Sequence, residues 1–146
     1  MKILAVDPGT TCGWAHSCGV SGVWDLSVRP DESSGMRLVR FRSKLNEIKN
    51  SLGIDIVVFE AARNLKYGHA VKIAGEFQGV LELWCIDNKI EYKGYSPTEI
   101  KKFATNKGNA SKEEVLKAAS KRWNVTDHNE ADALWLLSLA QRDLSC

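Results

Sequence analysis

Three acidic side chains stand where their neighbours should be buried. Asp7 closes the apolar run in "ILAVDPGTTCGWA", Glu60 closes "IDIVVFE", and Asp132 lies inside "NEADALWLL" between Ala131 and Ala133. A carboxylate on an apolar, packed surface is costly unless something positive meets it. Three such groups make a hard, oxygen-rich ligand set that suits Mg²⁺, which keeps some waters and takes other ligands from phosphate oxygens. The chemistry open to that set is two-metal hydrolysis of a phosphodiester. Each acid also has a plainer reading. Asp7 can cap a turn or belong to a phosphate loop, Glu60 can be a solvated strand-end acid, and Asp132 can meet a buried cation.

Local sequence bears on how each acid is aimed. Pro8 holds Asp7 in extended backbone, and Pro-Gly at a turn centre predicts type II geometry with Gly9 at positive φ. If the strands ending in Asp7 and Glu60 are parallel neighbours, both carboxylates leave the same sheet edge. They then repel each other unless a cation sits between them. Asp127 reads as the N-cap of the helix carrying Asp132, which tells against it as a ligand. His128 and Asn129, four and three residues before Asp132, can share its helix face.

The elements that must position these groups are legible as patterns. "KILAV" is a buried strand, and "TCGWAHS" and "VSGVWDLSV" are two more, joined by tight turns. A loop, "RPDESSG", leads to a helix from Met36, with Val39, Leu45, Ile48 and Leu52 on its apolar side and Gly53 as its stop. "IDIVVFE" is the next buried strand. A long helix spans about Ala70 to Trp84, with Gly75 and Gly79 one turn apart, which points to close backbone approach by the sheet or another subunit. "IEYKGYS" is a further strand. Capping boxes then begin at Ser96, Ser111 and Asp127. The order β-β-β-α-β-α-β-α-α predicts an α/β mixed sheet, a three-stranded meander plus parallel strands, with helices on its faces. Sites in such sheets lie at strand ends near a switch in strand order.

The 146 residues predict a single domain over the whole chain. A hydrophobic share of 44% and a charged share of 26% fit a soluble globular protein with one core. No apolar run approaches the roughly 20 residues of a membrane span, and the apolar start is too short for a secretory core, so a cytoplasmic protein is expected. Cys12, Cys18, Cys85 and Cys146 show no metal-binding or disulfide spacing and read as reduced thiols. Net charge is only +2. Its distribution is uneven: eight Lys and Arg against three Glu lie between Lys93 and Arg122, and Arg37–Lys49 is also basic. Such segments suit a polyanion.

Taken together, "ILAVDPGTTCGWA", "IDIVVFE", "SPTEIKKFATNKGNASKEEV" and "NEADALWLL" resemble the RuvC-type Holliday junction resolvases of the ribonuclease H-like superfamily. The resemblance covers nearly the whole chain. The basic third segment, with Lys101 and Lys112 eleven residues apart, is its more specific mark. It implies a ribonuclease H-like fold and matches Asp7, Glu60 and Asp132 to metal-binding acids. A fourth ligand falls on His128 or Asn129. Lys101 and Lys112 match basic residues near the scissile phosphate. A loop glycine common in the family falls on Asn106, while Gly108 is kept. The position of an aromatic wedge is Arg63 here, with Tyr67 the nearest ring. The resemblance also implies a homodimer, with the helix of Gly75 and Gly79 as the dimer element.

The resulting expectation is a Mg²⁺- or Mn²⁺-dependent endonuclease that cuts four-way DNA junctions by paired symmetric nicks, leaving 5′-phosphate and 3′-hydroxyl ends. Asp7 bridges two ions, Glu60 and Asp132 each hold one, and His128 or Asn129 completes a shell. Lys101 and Lys112 neutralise phosphate charge. Arg63, Lys66, Lys72, Lys102 and Lys107 set position on DNA. The host is a bacterial cell or a phage-infected one. The alternatives are a structured-RNA-processing nuclease of the same superfamily and a junction-binding protein that does not cut. An actin-like ATPase would need a second such domain and a further glycine-rich loop.

Overall fold

The computed structural model describes residues 1–62 and 68–144. Strands β1 (Ile3–Asp7), β2 (Thr11–His16) and β3 (Ser21–Asp25) lead to helix α1 (Met36–Ser51), strand β4 (Ile56–Glu60), helix α2 (His69–Asp87) and strand β5 (Glu91–Tyr95). Helices α3 (Pro97–Thr105), α4 (Lys112–Ser120) and α5 (His128–Leu144) complete the chain. Three helices therefore follow β5 where the expected order had two, and each predicted cap opens its own helix. Helix α2 runs one turn further than the predicted Trp84, because no breaker intervenes before Asn88 and the left-handed Lys89 (φ 58°).

The five strands form one mixed sheet in the order β3-β2-β1-β4-β5. The pairs β1–β2 and β2–β3 are antiparallel, while β1–β4 and β4–β5 are parallel. Both faces are covered, which is why the central strands read as unbroken apolar runs. Leu4 and Val6 of β1 face a core shared with Phe41 and Leu45 of α1 and Phe77 and Leu81 of α2. Ile3 and Ala5 face the other core, shared with α3, α4 and α5. No helix among the described residues is long and apolar enough to cross a membrane.

Helix ends follow local chemistry. The Ser96 hydroxyl accepts from the Glu99 N–H, with Pro97 at the first helical position. Ser111 and Glu114 form a reciprocal capping box. Asp127 Oδ1 accepts from the N–H groups of Asn129 (2.7 Å) and Glu130 (3.0 Å). That box is only half made, because the Glu130 carboxylate instead accepts from the Ser21 hydroxyl at 2.7 Å. Gly53 ends α1 in the left-handed region (φ 79°), its N–H reaching Ile48 and Lys49 carbonyls.

The turn after Asp7 departs from expectation. Gly9 is not among the positive-φ residues, so Pro8–Gly9 is not a type II turn. Asp7 pairs with Gly13 across the β1–β2 ladder, and the wide connection between them imposes no tight reversal that would demand a left-handed residue.

Candidate active site

The chain passes from β1 outward to β3, then returns to place β4 on the other side of β1. The switch point of the sheet thus lies between the C-terminal ends of β1 and β4, where an open α/β sheet has its crevice. Val6 pairs with Phe59 in parallel register, so Asp7 and Glu60, the next residue of each strand, emerge side by side. A cleft of about 580 Å³ opens there, and Asp7, Glu60 and Asp132 all line it, with Asn129, Lys101 and Lys112.

Asp132 reaches the cleft because α5 lies directly on β2. A Cβ on Gly13 would stand 1.8 Å from the Asn129 carbonyl oxygen, so only glycine lets the first turn of α5 approach so closely. Ala5, Ala15, Ala131 and Ala133 are buried around this seat. Asp127 fixes where the helix starts, and one turn later Asp132 faces the two strand-end acids.

The site's electrostatics oppose its own charges. Burial pushes the Asp7 carboxyl well above the usual carboxylate range, reinforced by the charge of Glu60, a side-chain hydrogen bond with it, and the charge of Asp132; Lys112 opposes this. Burial also raises Asp132 to about 6, helped by Glu60 and opposed by Lys112, His128 and Lys101. Among the described residues, no three His, Cys, Asp or Glu side chains close on one point as a finished cation cage. The donor set nevertheless fits hard divalent ions. Three mutually repelling carboxylates in one cleft are what a bound cation would relieve, and they offer oxygen ligands only. Asp7 lies next to Glu60 and within the field of Asp132.

The two candidates for a fourth ligand differ in placement. Asn129 lines the cleft. His128 does not, yet its Nδ1 is buried and has no hydrogen-bond partner among the described residues. The basic residues separate as well. Lys101 and Lys112 flank the acids in the cleft. Lys102 lies in a second groove with Glu99, Phe103 and Asp143, and Lys107 forms a 2.7 Å ion pair with Glu114. Lys72 is exposed on the first turn of α2, while Arg63, Lys66 and Tyr67 lie outside the described residues. Asn106 ends α3 in the left-handed conformation (φ 67°), which glycine adopts without strain and asparagine tolerates.

Gly75 and Gly79 are exposed, and a Cβ on either meets nothing within 4 Å among the described residues. The sheet is thereby excluded as the cause of these glycines. Cys12, Cys18 and Cys85 are free thiols; Cys146 lies outside the described residues. Sequence reasoning did not single out Gly13, although a glycine inside a strand pattern is a signal of close backbone approach. It also passed over Ala61 and Ala62, which wall the cleft and carry no chemical signal in the sequence.

The model of the family described as crossover junction endodeoxyribonuclease RuvC matches residues 3–140. The chain is 27% identical to the crossover junction endodeoxyribonuclease RuvC of Chlorobium phaeobacteroides, over 99% of this chain and 81% of that one. It is 33% identical to that of Oleidesulfovibrio alaskensis, over 79% and 73% of the two chains. Among solved structures, Thermus thermophilus RuvC in complex with Holliday junction substrate superposes with a TM-score of 0.75 at 19% identity, covering 93% of this chain and 90% of that one. Thermus thermophilus RuvC also superposes, with a TM-score of 0.73.

Proposed function

The chain belongs to the RuvC family of crossover junction endodeoxyribonucleases, and on that premise we propose that it resolves four-way DNA junctions by paired nicks centred on Asp7, Glu60 and Asp132. It is a metal-dependent phosphodiester hydrolase, and Mg²⁺, with Mn²⁺ as substitute, is the ion that the oxygen-only donor set fits. The observation that carries this reading is the convergence of two strand-end acids and one helix acid in a single cleft, flanked by Lys101 and Lys112.

Asp7, Glu60 and Asp132 would hold the ions, with the Asn129 amide, or His128 through its unpartnered Nδ1, as a further ligand. Bound there, the ions supply a water of lowered pKa and positive charge for the leaving oxygen. The protein's part is to hold these ligands fixed while the strand enters between the acids and the two lysines. Lys101 and Lys112 offset the charge of the phosphate and also lower the proton affinity of Asp132. In-line attack opposite the 3′ oxygen gives 5′-phosphate and 3′-hydroxyl ends. Lys72, Lys102 and Lys107, with Arg63 and Lys66, are the candidates for contacts that position the DNA without reading sequence. Paired cutting calls for a homodimer, and the open face of Gly75 and Gly79 on α2 is the self-complementary surface we assign to it. The setting is the cytoplasm of a bacterial cell or a phage-infected host.

The test is a nicking assay on a mobile four-way junction with Mg²⁺, with Mn²⁺ and with neither, mapping both cuts. Symmetric metal-dependent nicks are expected. Asp7→Asn should lower the rate by about 10³-fold or more, the scale of losing a central electrostatic group, while junction binding persists. Cleavage of structured RNA in preference to the junction would point to an RNA-processing enzyme. Binding without cutting by the wild type would point to a junction-holding protein.

A further inference from the structure

We infer that Gln78 of α2 is a positioning residue for the nuclease site, holding the backbone that carries Glu60; the inference rests on the nuclease reading above. The β4–β5 ladder pairs Glu60 with Tyr95, and the Ala61 N–H donates to the Tyr95 carbonyl at 2.8 Å. The ladder ends there. The next N–H, that of Ala62, donates to Gln78 Oε1 at 2.7 Å. A side chain from the helical layer thus supplies one further rung at the point where the chain leaves the sheet.

The amide is aimed for this task. Its Nε2 faces Glu82 Oε1, one turn along the helix, at 3.5 Å, which leaves Oε1 turned toward Ala62. The anchor is firm because Phe77 and Leu81, on either side of Gln78, are fully buried against the sheet. Ala61 and Ala62 are the two residues after Glu60 and both wall the cleft. Releasing Ala62 would leave a half-buried N–H unpaired and let the end of β4 move. A displacement of about 1 Å in a reacting constellation is enough to lower a rate 10²-fold. Gln78 itself does not line the cleft and touches no reacting atom.

The variants that test this are Gln78→Met, similar in size but without the acceptor, and the exchange Q78E/E82Q. The exchange conserves charge, keeps an acceptor for Ala62 and returns a donor from position 82. Single-turnover nicking at saturating junction, junction Kd and hydrogen exchange at the Ala62 amide are measured for each. Gln78→Met should nick about tenfold or more slowly, the usual effect of losing an outer-shell partner. Its Kd should stay within about twofold and its Ala62 amide should exchange faster. The exchange variant should recover both nicking and protection. Gln78→Ser, too short to reach Ala62, replaces the Met variant if that does not fold. Wild-type nicking rates in Gln78→Met, unchanged Ala62 protection, or failure of Q78E/E82Q to recover would each overturn the assignment. If the wild type does not cut junctions, the nuclease reading falls, while Ala62 exchange alone still decides whether Gln78 holds this backbone.

Discussion

Asp7 and Asp132 are held where their own charge is unwelcome, and this sets how the metal-free protein responds to pH. Asp132 titrates near 6 in the folded chain, against 3.8 for an ordinary aspartate. With its folded value raised, the stability it contributes is fully present below pH 3.8 and is lost as pH rises through about 6. Asp132→Asn carries no proton to lose. In EDTA it should therefore melt above wild type beyond pH 6 and converge with it near pH 4, as thermal melts from pH 4 to 8 would show. Mg²⁺ should narrow the gap at high pH by stabilising the wild type. At this scale the sequence was informative for a definite reason: an acid closing an apolar run is conspicuous whatever surrounds it. The choice between His128 and Asn129 was not legible. Both lie about one turn from Asp132, and the rotation of α5 about its axis decides which faces the cleft.

Elements position these residues through a few contacts of unequal visibility. The caps at Ser96, Ser111 and Asp127 depend on residues within three positions, so they appear in sequence and in structure alike. Even so, the Glu130 carboxylate leaves its local partner for Ser21, more than 100 residues earlier. The seat of α5 on Gly13 is a contact between distant segments, and no pattern around "TCGWAH" names Asn129 as its partner. Gly13→Ala places a methyl against backbone, which cannot swing aside as a side chain can. It should destabilise by about 3 kcal/mol or more, at or above the upper range for overpacking, and carry Asp132 away from the strand-end acids. Gly9→Ala is the control. Its Cβ meets only Thr11 O at an ordinary 3.8 Å, and its effect should stay within about 0.5 kcal/mol. Urea unfolding midpoints of the two variants make the comparison. The turn at Gly9 shows the opposite failure, since Pro-Gly is a local signal that the register of a longer connection overrode.

For the whole molecule, the exposed face of α2 is the feature that the monomer leaves unexplained. Two glycines in a helix cost about 1 kcal/mol each relative to alanine, and here nothing among the described residues packs on them. Leu83 and Ile86, further along the helix, are 62% and 65% exposed. A second copy of this chain, docked about a two-fold axis, would give the glycines their use and match the two equivalent cuts of a four-way junction. Gly79→Ala should therefore raise the stability of the isolated chain by up to about 1 kcal/mol. Gly79→Arg should leave the monomer folded but shift it from dimer to monomer in sedimentation, and uncouple the two nicks.

Taken by itself, the sequence determined the alternation of strands and helices, the caps and the three acids. Those depend on periodicity and on chemistry within a few residues, which a linear pattern records. Only the tertiary structure decided that the acids share one cleft. Their meeting requires parallel register between β1 and β4, which are separated by α1, and a glycine in β2 that admits α5. It also decided that Lys101 and Lys112 face the acids while Lys102 and Lys107 turn elsewhere, and that a glutamine on α2 holds the chain just beyond Glu60. Each of these is a contact across tens of residues, set by how layers pack, and composition and spacing along the chain carry no record of it.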